Sequence, residues 1–334
     1  MKESASRNIN EKMPGLAQWF AFEDYAEVEQ AVRALKELRI TEFRTLFSWA
    51  DWMREGGEAW FDWFVGKLAE VPNIRLLPCI FYTPSQLSMQ DADGKRKTSY
   101  PPEDASAYAE FVEVMIKKYG KHFDWVQIWN EPNWKPYWDE SLDPDWSIYA
   151  DMARQAAAAA HAHKKKVALG GVTPLEIQWF TRMEEKGLLR HIDAVCFHFA
   201  PSWPLQHRRW FPIETEMHSL RALLAGLGRN CEVWMDESGI STNTPEDHDE
   251  QKLEQEQIRF FDMLAKVSAD RTYWFCLFDQ KTGTLTDDMI NTGKEIDTTA
   301  FHFGILRTDG TKKPLYEHWK ELAHPGRSVK SKRS

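Results

Sequence analysis

Short apolar runs of strand length alternate with longer segments whose apolar residues recur at helical spacing, from Gly15 to the end of the chain. The first run, Gly15 to Phe22, precedes a segment with Val28, Ala31, Val32, Leu35 and Leu38 on one face. Thr41 to Phe47 is a second strand pattern, followed by a helix near Glu58 to Ala69. Ile74 to Phe81 is continuously apolar, the signature of a strand buried on both faces, and a helix from about Asp104 to Tyr119 follows its long loop. The same alternation predicts strands at Trp125–Trp129, Val167–Val172, Ile192–Phe199, Cys231–Asp236 and Thr272–Phe278. Helices are predicted around Ala156–Ala160, Leu175–Lys186, Glu214–Leu227, the face Ile258, Phe261, Leu264 and Ala265, and beyond Pro314.

Eight strand-then-helix units in one chain predict an α/β protein, a single-domain (β/α)₈ TIM barrel over residues 15–324. A flexible segment, 1–14, is expected before it, and a disordered basic tail, 325–334, after it. The alternative is a doubly wound open sheet. That reading lacks its usual support, because no GxGxxG follows the first strand.

Composition narrows the partners. The net charge of −9 argues against nucleic acid or an anionic membrane surface. No apolar run reaches the roughly 18 residues a membrane span needs, and no apolar leader is seen near Met1. The four cysteines form no CxxC pair, so they read as reduced core residues, and a cytoplasmic location is expected. Sixteen tryptophans are more than a core of this size ordinarily holds. Some are expected to line a binding surface, where aromatic faces meet the C–H faces of sugars.

In a barrel of this kind the chemistry lies at the carboxyl ends of the strands. The fourth strand ends in Trp129-Asn130-Glu131-Pro132-Asn133-Trp134, and the seventh ends in Asp236-Glu237-Ser238-Gly239. Glu131 and Glu237 thus share one rim and lie across the mouth from each other. Cleaving a glycosidic bond needs two such carboxyls. One protonates the leaving oxygen; the other attacks the anomeric carbon or, at larger separation, activates water. The competing assignment is that each glutamate caps a helix or pairs with a surface lysine.

Arg44, on the second strand, is costly inside a barrel unless it meets a carboxylate, and Glu237 is the expected partner. His198, near the end of the sixth strand, is placed to bond Glu131 or a sugar hydroxyl, or to serve as a structural residue. Its spacing to other His and Cys residues does not suggest a metal site. Trp49, Trp52, Trp134 and Trp138 are candidate sugar platforms because they sit in rim loops. Trp274 and Asp279 are further substrate-contact candidates from the eighth strand. Arg208 and Arg209 read as a solvated basic loop, with binding of a substrate carboxylate as the alternative. No metal or organic cofactor is expected.

Taken together, these residues resemble the clan A glycoside hydrolases, the retaining (β/α)₈ enzymes. Asn130-Glu131-Pro132 resembles the acid/base motif, Glu237 the seventh-strand nucleophile, Phe43-Arg44 and Ser48-Trp49 the second-strand arginine motif, and His198 the sixth-strand histidine. Phe303-Gly304-Ile305-Leu306, Asp309-Gly310 and Lys313-Pro314-Leu315-Tyr316 resemble the end of many members. Within the clan, Trp129–Trp138 and Gly170-Gly171 look most like family 39, which includes β-xylosidases and exopolysaccharide-cleaving enzymes.

The resemblance implies Glu131 as acid/base, Glu237 as nucleophile, Asn130 on the sugar 2-hydroxyl, and an oligosaccharide or glycoside as substrate. Many members carry an aromatic hydroxyl, bonded to the nucleophile, where this chain has Ala200. Tyr82, ending the third strand, is the candidate substitute. A sugar-binding barrel without turnover, and a transglycosylase using the same carboxylates, are the alternatives.

Overall fold

The computed structural model describes residues 13–201, 213–243, 249–281 and 301–325. Eight parallel strands close into a barrel in sequence order. They are β1 (Gly15–Gln18), β2 (Glu42–Ser48), β3 (Arg75–Phe81), β4 (Trp125–Ile128), β5 (Lys166–Val172), β6 (Ala194–Phe199), β7 (Glu232–Ser238) and β8 (Arg271–Phe275). The ring is sealed where β1 pairs with both neighbours, Leu16 opposite Phe43 on one side and Trp274 on the other. The single-domain TIM barrel read from the sequence is the observed architecture.

Helices return the chain outside the strands: α1 (Tyr25–Glu37), the one-turn α2 (Trp49–Trp52), α3 (Gly57–Leu68), α4 (Ala105–Tyr119), α5 (Ser147–Ala162), α6 (Ile177–Glu185), α7 (Ile213–Gly226), α8 (Glu250–Leu264) and α9 (Pro314–Ala323). Their starts follow local chemistry. Asp24 accepts the backbone N–H of Glu27 at 3.0 Å, Asp104 that of Ser106 at 2.8 Å, and Pro314 opens α9, where its missing N–H costs nothing. The face read on α1 is the buried one, with Val28, Ala31, Val32 and Leu35 against the barrel.

The barrel interior is layered. Leu77, Trp125, Ala168, Ala194, Cys196, Trp234 and Tyr273 form a closed apolar plug. Above it, toward the carboxyl ends, the next inward positions are polar or polarisable: Arg44, Cys79, Gln127, His198 and Asp236, all buried. With the floor sealed, the upper rim is the open end of the barrel among the described residues.

Two register shifts shape that rim. On β5 the pairing jumps between Leu169 and Val172, which places Gly170 and Gly171 in the irregular stretch. On β7 Met235 pairs with Phe197 and Glu237 with the very next residue, His198, so Asp236 is the extra residue of a β-bulge. Strand alternation alone would turn Asp236 and Glu237 to opposite faces. The bulge turns both toward the barrel axis.

β8 ends three residues before its predicted limit. The chain beyond it leaves the ladder and touches the closing segment through a bridge between Phe278 and Leu306. No helix among the described residues is long and apolar enough to cross a membrane. All four cysteines are free thiols. The expected flexible ends lie almost wholly outside the described residues, as do Arg208, Arg209 and positions 282–299 of the loop after β8.

Candidate active site

The carboxyl ends of the strands open into a cavity of ≈ 360 Å³ whose lining includes Asn130, Glu131, His198 and Glu237. Below it, Arg44 organises the floor. The buried guanidinium donates from Nε to Gln127 Oε1 at 2.6 Å, from Nη2 to Asn130 Oδ1 at 2.7 Å, and from Nη1 to Glu237 Oε1. Its Nη2 also lies 3.1 Å from Asp236 Oδ2, and its plane covers the Trp19 ring at 4.8 Å. Burial works against the Arg44 charge, but Asp236, Cys79 and Glu237 more than restore it, so the guanidinium stays charged. The expected Arg44–Glu237 pairing is present.

Glu131 is reached by a strained chain. Tyr82, Trp129 and Glu131 all hold left-handed backbones, with φ of 65°, 64° and 45°. Each such non-glycine residue costs about 1–3 kcal/mol and persists only where its surroundings hold it. Here Trp129 N–H bonds Ile80 O at 2.9 Å, Trp129 Nε1 bonds Tyr137 O at 3.1 Å, and Glu131 N–H bonds Gly171 O at 3.1 Å. The glycines are required by close approach. A Cβ on Gly170 would lie 2.1 Å from Trp129 O, and one on Gly171 would lie 2.0 Å from His198 Nε2.

His198 Nδ1 lies 2.6 Å from Glu131 Oε1 and 3.6 Å from Glu237 Oε2. The two glutamates and the imidazole present atoms within 4.8 Å of one another, the one such grouping of His, Cys, Asp or Glu among the described residues. Within it, His198 Nδ1 is engaged by Glu131, and Glu237 Oε1 accepts from Arg44. Burial raises the Glu131 pKa above the ordinary carboxylate range, helped by the Glu237 charge and opposed by the bond from His198.

One wall of the cavity is aromatic. Phe81, Tyr82, Trp134 and Tyr137 line it beside Glu131, with Trp134 and Tyr137 edge to face at 5.2 Å. The opposite wall is polar, with Gln18, Asp24, Glu27, Asp279, Gln280 and Lys281. Asp279 accepts from the buried Lys313 Nζ at 2.7 Å and from Gly304 N–H at 2.9 Å. That pairing gives the closing Lys313-Pro314 segment a part in the rim. Residues 83–102, the long loop after β3, do not line the cavity.

Four expected platforms lie elsewhere. Trp49 stacks on Phe111 at 5.9 Å, and Trp52 packs on Phe61 and Phe111. Trp138 is buried edge-on to Trp129, its Nε1 donating to Asp143 at 3.3 Å. These three fill space between strands and helices, because a position in a rim loop does not decide which way a ring points. Trp274 falls to strand alternation: Phe275 lines the cavity, so Trp274 turns outward onto Phe260 and Phe261 of α8. Nor does any hydrogen bond join Tyr82 to Glu237; Tyr82 lies on the aromatic wall.

Gln127, Asp236 and Tyr137 were not among the expected residues. Gln127 could have been found, since it sits two residues after the inward Trp125 on the same strand face. Asp236 could have been found the same way, two residues after the inward Trp234; the face that only the bulge turns inward is that of Glu237.

No protein-family model and no curated protein sequence matches the chain. Solved structures match its fold. A family 39 glycoside hydrolase from the gut symbiont Bacteroides cellulosilyticus WH2 superposes with a TM-score of 0.63 at 15% identity, covering 94% of this chain. This chain spans 64% of that protein, a little under two thirds of its length. A glucosidase from Croceicoccus marinus gives 0.64 at 15% identity, over 93% of this chain and 67% of that one. The GH53 catalytic domain of Ignisphaera aggregans gives 0.61 at 16% identity, over 94% and 96%. The neighbours are clan A glycoside hydrolases, and what the chain shares with them at these identities is the barrel fold.

Proposed function

We propose that the chain is a retaining β-glycoside hydrolase. The observation that carries this reading is the Glu131–Glu237 pair at the cavity mouth, with a carboxylate oxygen of each within 4.8 Å of the other. That separation suits direct attack, since carboxyls about 5–5.5 Å apart leave no room for an intervening water.

The roles follow from what holds each group. Arg44 holds Glu237 through Oε1, and Glu237 lines the cavity, so Glu237 is the nucleophile. Glu131 is buried, its pKa is raised, and it is bonded through one oxygen only, so it is the proton donor. In the first step a Glu237 oxygen bonds the anomeric carbon as the glycosidic C–O bond breaks, and the Glu131 proton passes to the leaving oxygen. In the second, Glu131 takes a proton from water, the water oxygen bonds the anomeric carbon, and the ester to Glu237 breaks. Arg44 engages Asn130 Oδ1, which leaves the Asn130 amide N–H groups to donate to a sugar hydroxyl. Trp134, Tyr82 and Tyr137 offer the leaving group an aromatic face on the side of Glu131.

Aryl β-glycosides test this reading. Glu237→Ala is expected to lose at least about 10⁴-fold in kcat, with azide restoring turnover as a glycosyl azide of inverted configuration. Glu131→Ala should yield the azide product with retained configuration and lose most on poor leaving groups. A Glu237→Ala protein as active as its parent overturns the assignment.

A further inference from the structure

Beneath the two glutamates lies a buried acid that the double displacement leaves unused. Asp236 is fully buried. Its Oδ2 accepts from Gln127 Nε2 at 2.5 Å, and lies 3.1 Å from Arg44 Nη2 and 3.5 Å from His198 Nε2. Its Oδ1 and His198 Nε2 are buried with no hydrogen-bond partner among the described residues. The space between the imidazole and this carboxylate is kept open by Gly171. A Cβ there would lie 2.0 Å from Nε2 and 2.7 Å from Oδ1.

Charge balance then constrains the histidine. Ionised Asp236 and Glu237 outnumber Arg44 by one negative charge, and an unbalanced buried charge is expensive. A second cation restores neutrality while Glu131 keeps its proton, and the one group in contact with all three acids is His198. The groups facing the ring are Glu131 from the end of β4, Asp236 and Glu237 from β7, and Arg44 beyond them from β2. β5 presents only the bare Gly171.

We propose that Asp236 is a positioning residue that keeps His198 an imidazolium, whose Nδ1–H follows the single negative charge of the catalytic pair from Glu237 to Glu131 and back. The proposal rests on the retaining reading above. Before glycosylation the negative charge sits on Glu237, 3.6 Å from Nδ1. After it, Glu237 is a neutral ester and Glu131 a carboxylate, 2.6 Å from the same N–H. That bond becomes charge-assisted at the moment Glu131 must act as a base. The ring gains and loses no proton during turnover. Burial alone would lower the His198 pKa, but the charges of Glu237 and Asp236 outweigh it and push it up to about 10.

The test does not depend on turnover. Imidazole ¹⁵N shifts of the full-length protein should show His198 doubly protonated at pH 7 and still so at pH 8. A neutral His198 at pH 7 overturns the proposal whether or not the protein hydrolyses glycosides. In Asp236→Asn, His198 should titrate near neutrality. With an activated aryl glycoside, whose second step limits turnover, that variant's kcat should fall by about 10- to 100-fold while kcat/KM falls less. Asp236→Glu should recover part of the loss. An Asp236→Asn protein in which His198 keeps the parent titration, or in which kcat and kcat/KM fall alike, makes Asp236 merely structural and overturns its assigned role. If Asp236→Asn does not fold, the measurement on the unaltered protein still decides the charge state.

Discussion

Two arginines stand at opposite ends of the same barrel with nearly the same partners. Arg44, toward the carboxyl ends, meets Asp236 and Glu237 and covers Trp19. Arg271, at the amino end of β8, meets Glu42 at 3.2 Å and Glu232 at 3.8 Å and covers Trp125 and Trp234. What separates them is water. The Arg44 side chain is 0% exposed, whereas that of Arg271 is 30% exposed and its partners 22% and 37%. Coulomb attraction is screened at the lower end and strong at the upper one. One set of residue types therefore makes a surface ion-pair cluster at one end and a preorganised site at the other.

Removing the upper arginine should have the larger effect. Arg44→Met leaves the buried Asp236 and the half-buried Glu237 without that cation, a change expected to cost about 3–5 kcal/mol of stability. The same substitution frees Glu237 and Asn130 from their fixed orientations, and kcat/KM should fall by about 10²- to 10³-fold. Denaturant titration and steady-state kinetics read the two effects separately. A loss no greater than that of Arg271→Met would show that burial does not distinguish the two ends.

The pH profile sharpens the contrast, because buried charges at the upper end act on Glu131. Its pKa is raised by burial and by Glu237, so the proton it must deliver is retained to higher pH and lost as pH rises through that raised value. With a poor leaving group, kcat/KM should hold past the ordinary glutamate pKa of about 4.3 and then drop tenfold per pH unit. With a leaving group that needs no proton, the alkaline limb should flatten. An alkaline limb at the ordinary value, unchanged by leaving group, would remove Glu131 from the acid role.

The comparison also marks where sequence reading stops. The barrel was legible because short apolar runs and helical stripes repeat through the chain, and each repeat constrains the next. Glu131, Glu237 and His198 were legible as rim positions, since the end of a strand can be counted, and Arg44 as an inward charge that needs a carboxylate. Side-chain direction off the ladder was not. Trp49, Trp52 and Trp138 sit in loops whose rings turn to whichever cavity is large and apolar, and here that is the gap between strands and helices. Trp274 sits within a strand, but its face depends on which alternate set points inward, here Tyr273 and Phe275. Glu237 shows the same limit from the other side: alternation from Trp234 turns Asp236 inward and Glu237 outward, and the one-residue bulge turns Glu237 inward as well. The left-handed backbones at Tyr82, Trp129 and Glu131 have no sequence signal either, because they are held by tertiary bonds to Ile80, Tyr137 and Gly171.

The smallest effect belongs to the lower arginine. Arg271 donates to Glu42, which also accepts from Arg75 Nε at 2.8 Å, so the carboxylate keeps a partner when Arg271 is removed. Exposed ion pairs of this kind contribute about 0–1 kcal/mol. The aliphatic part of Arg271 shields Trp125 and Trp234, and methionine preserves most of that cover. Arg271→Met should therefore change stability by about 1 kcal/mol or less, and raising the salt concentration should shrink the difference further. Between Arg271 and the cavity stands the plug containing Trp125, Trp234 and Tyr273, which holds no charged side chain to carry a charge effect upward. Activity should consequently stay within about twofold of the parent. A larger drop in kcat/KM would mean that the plug transmits the electrostatics of the lower rim, and that the two ends are not independent.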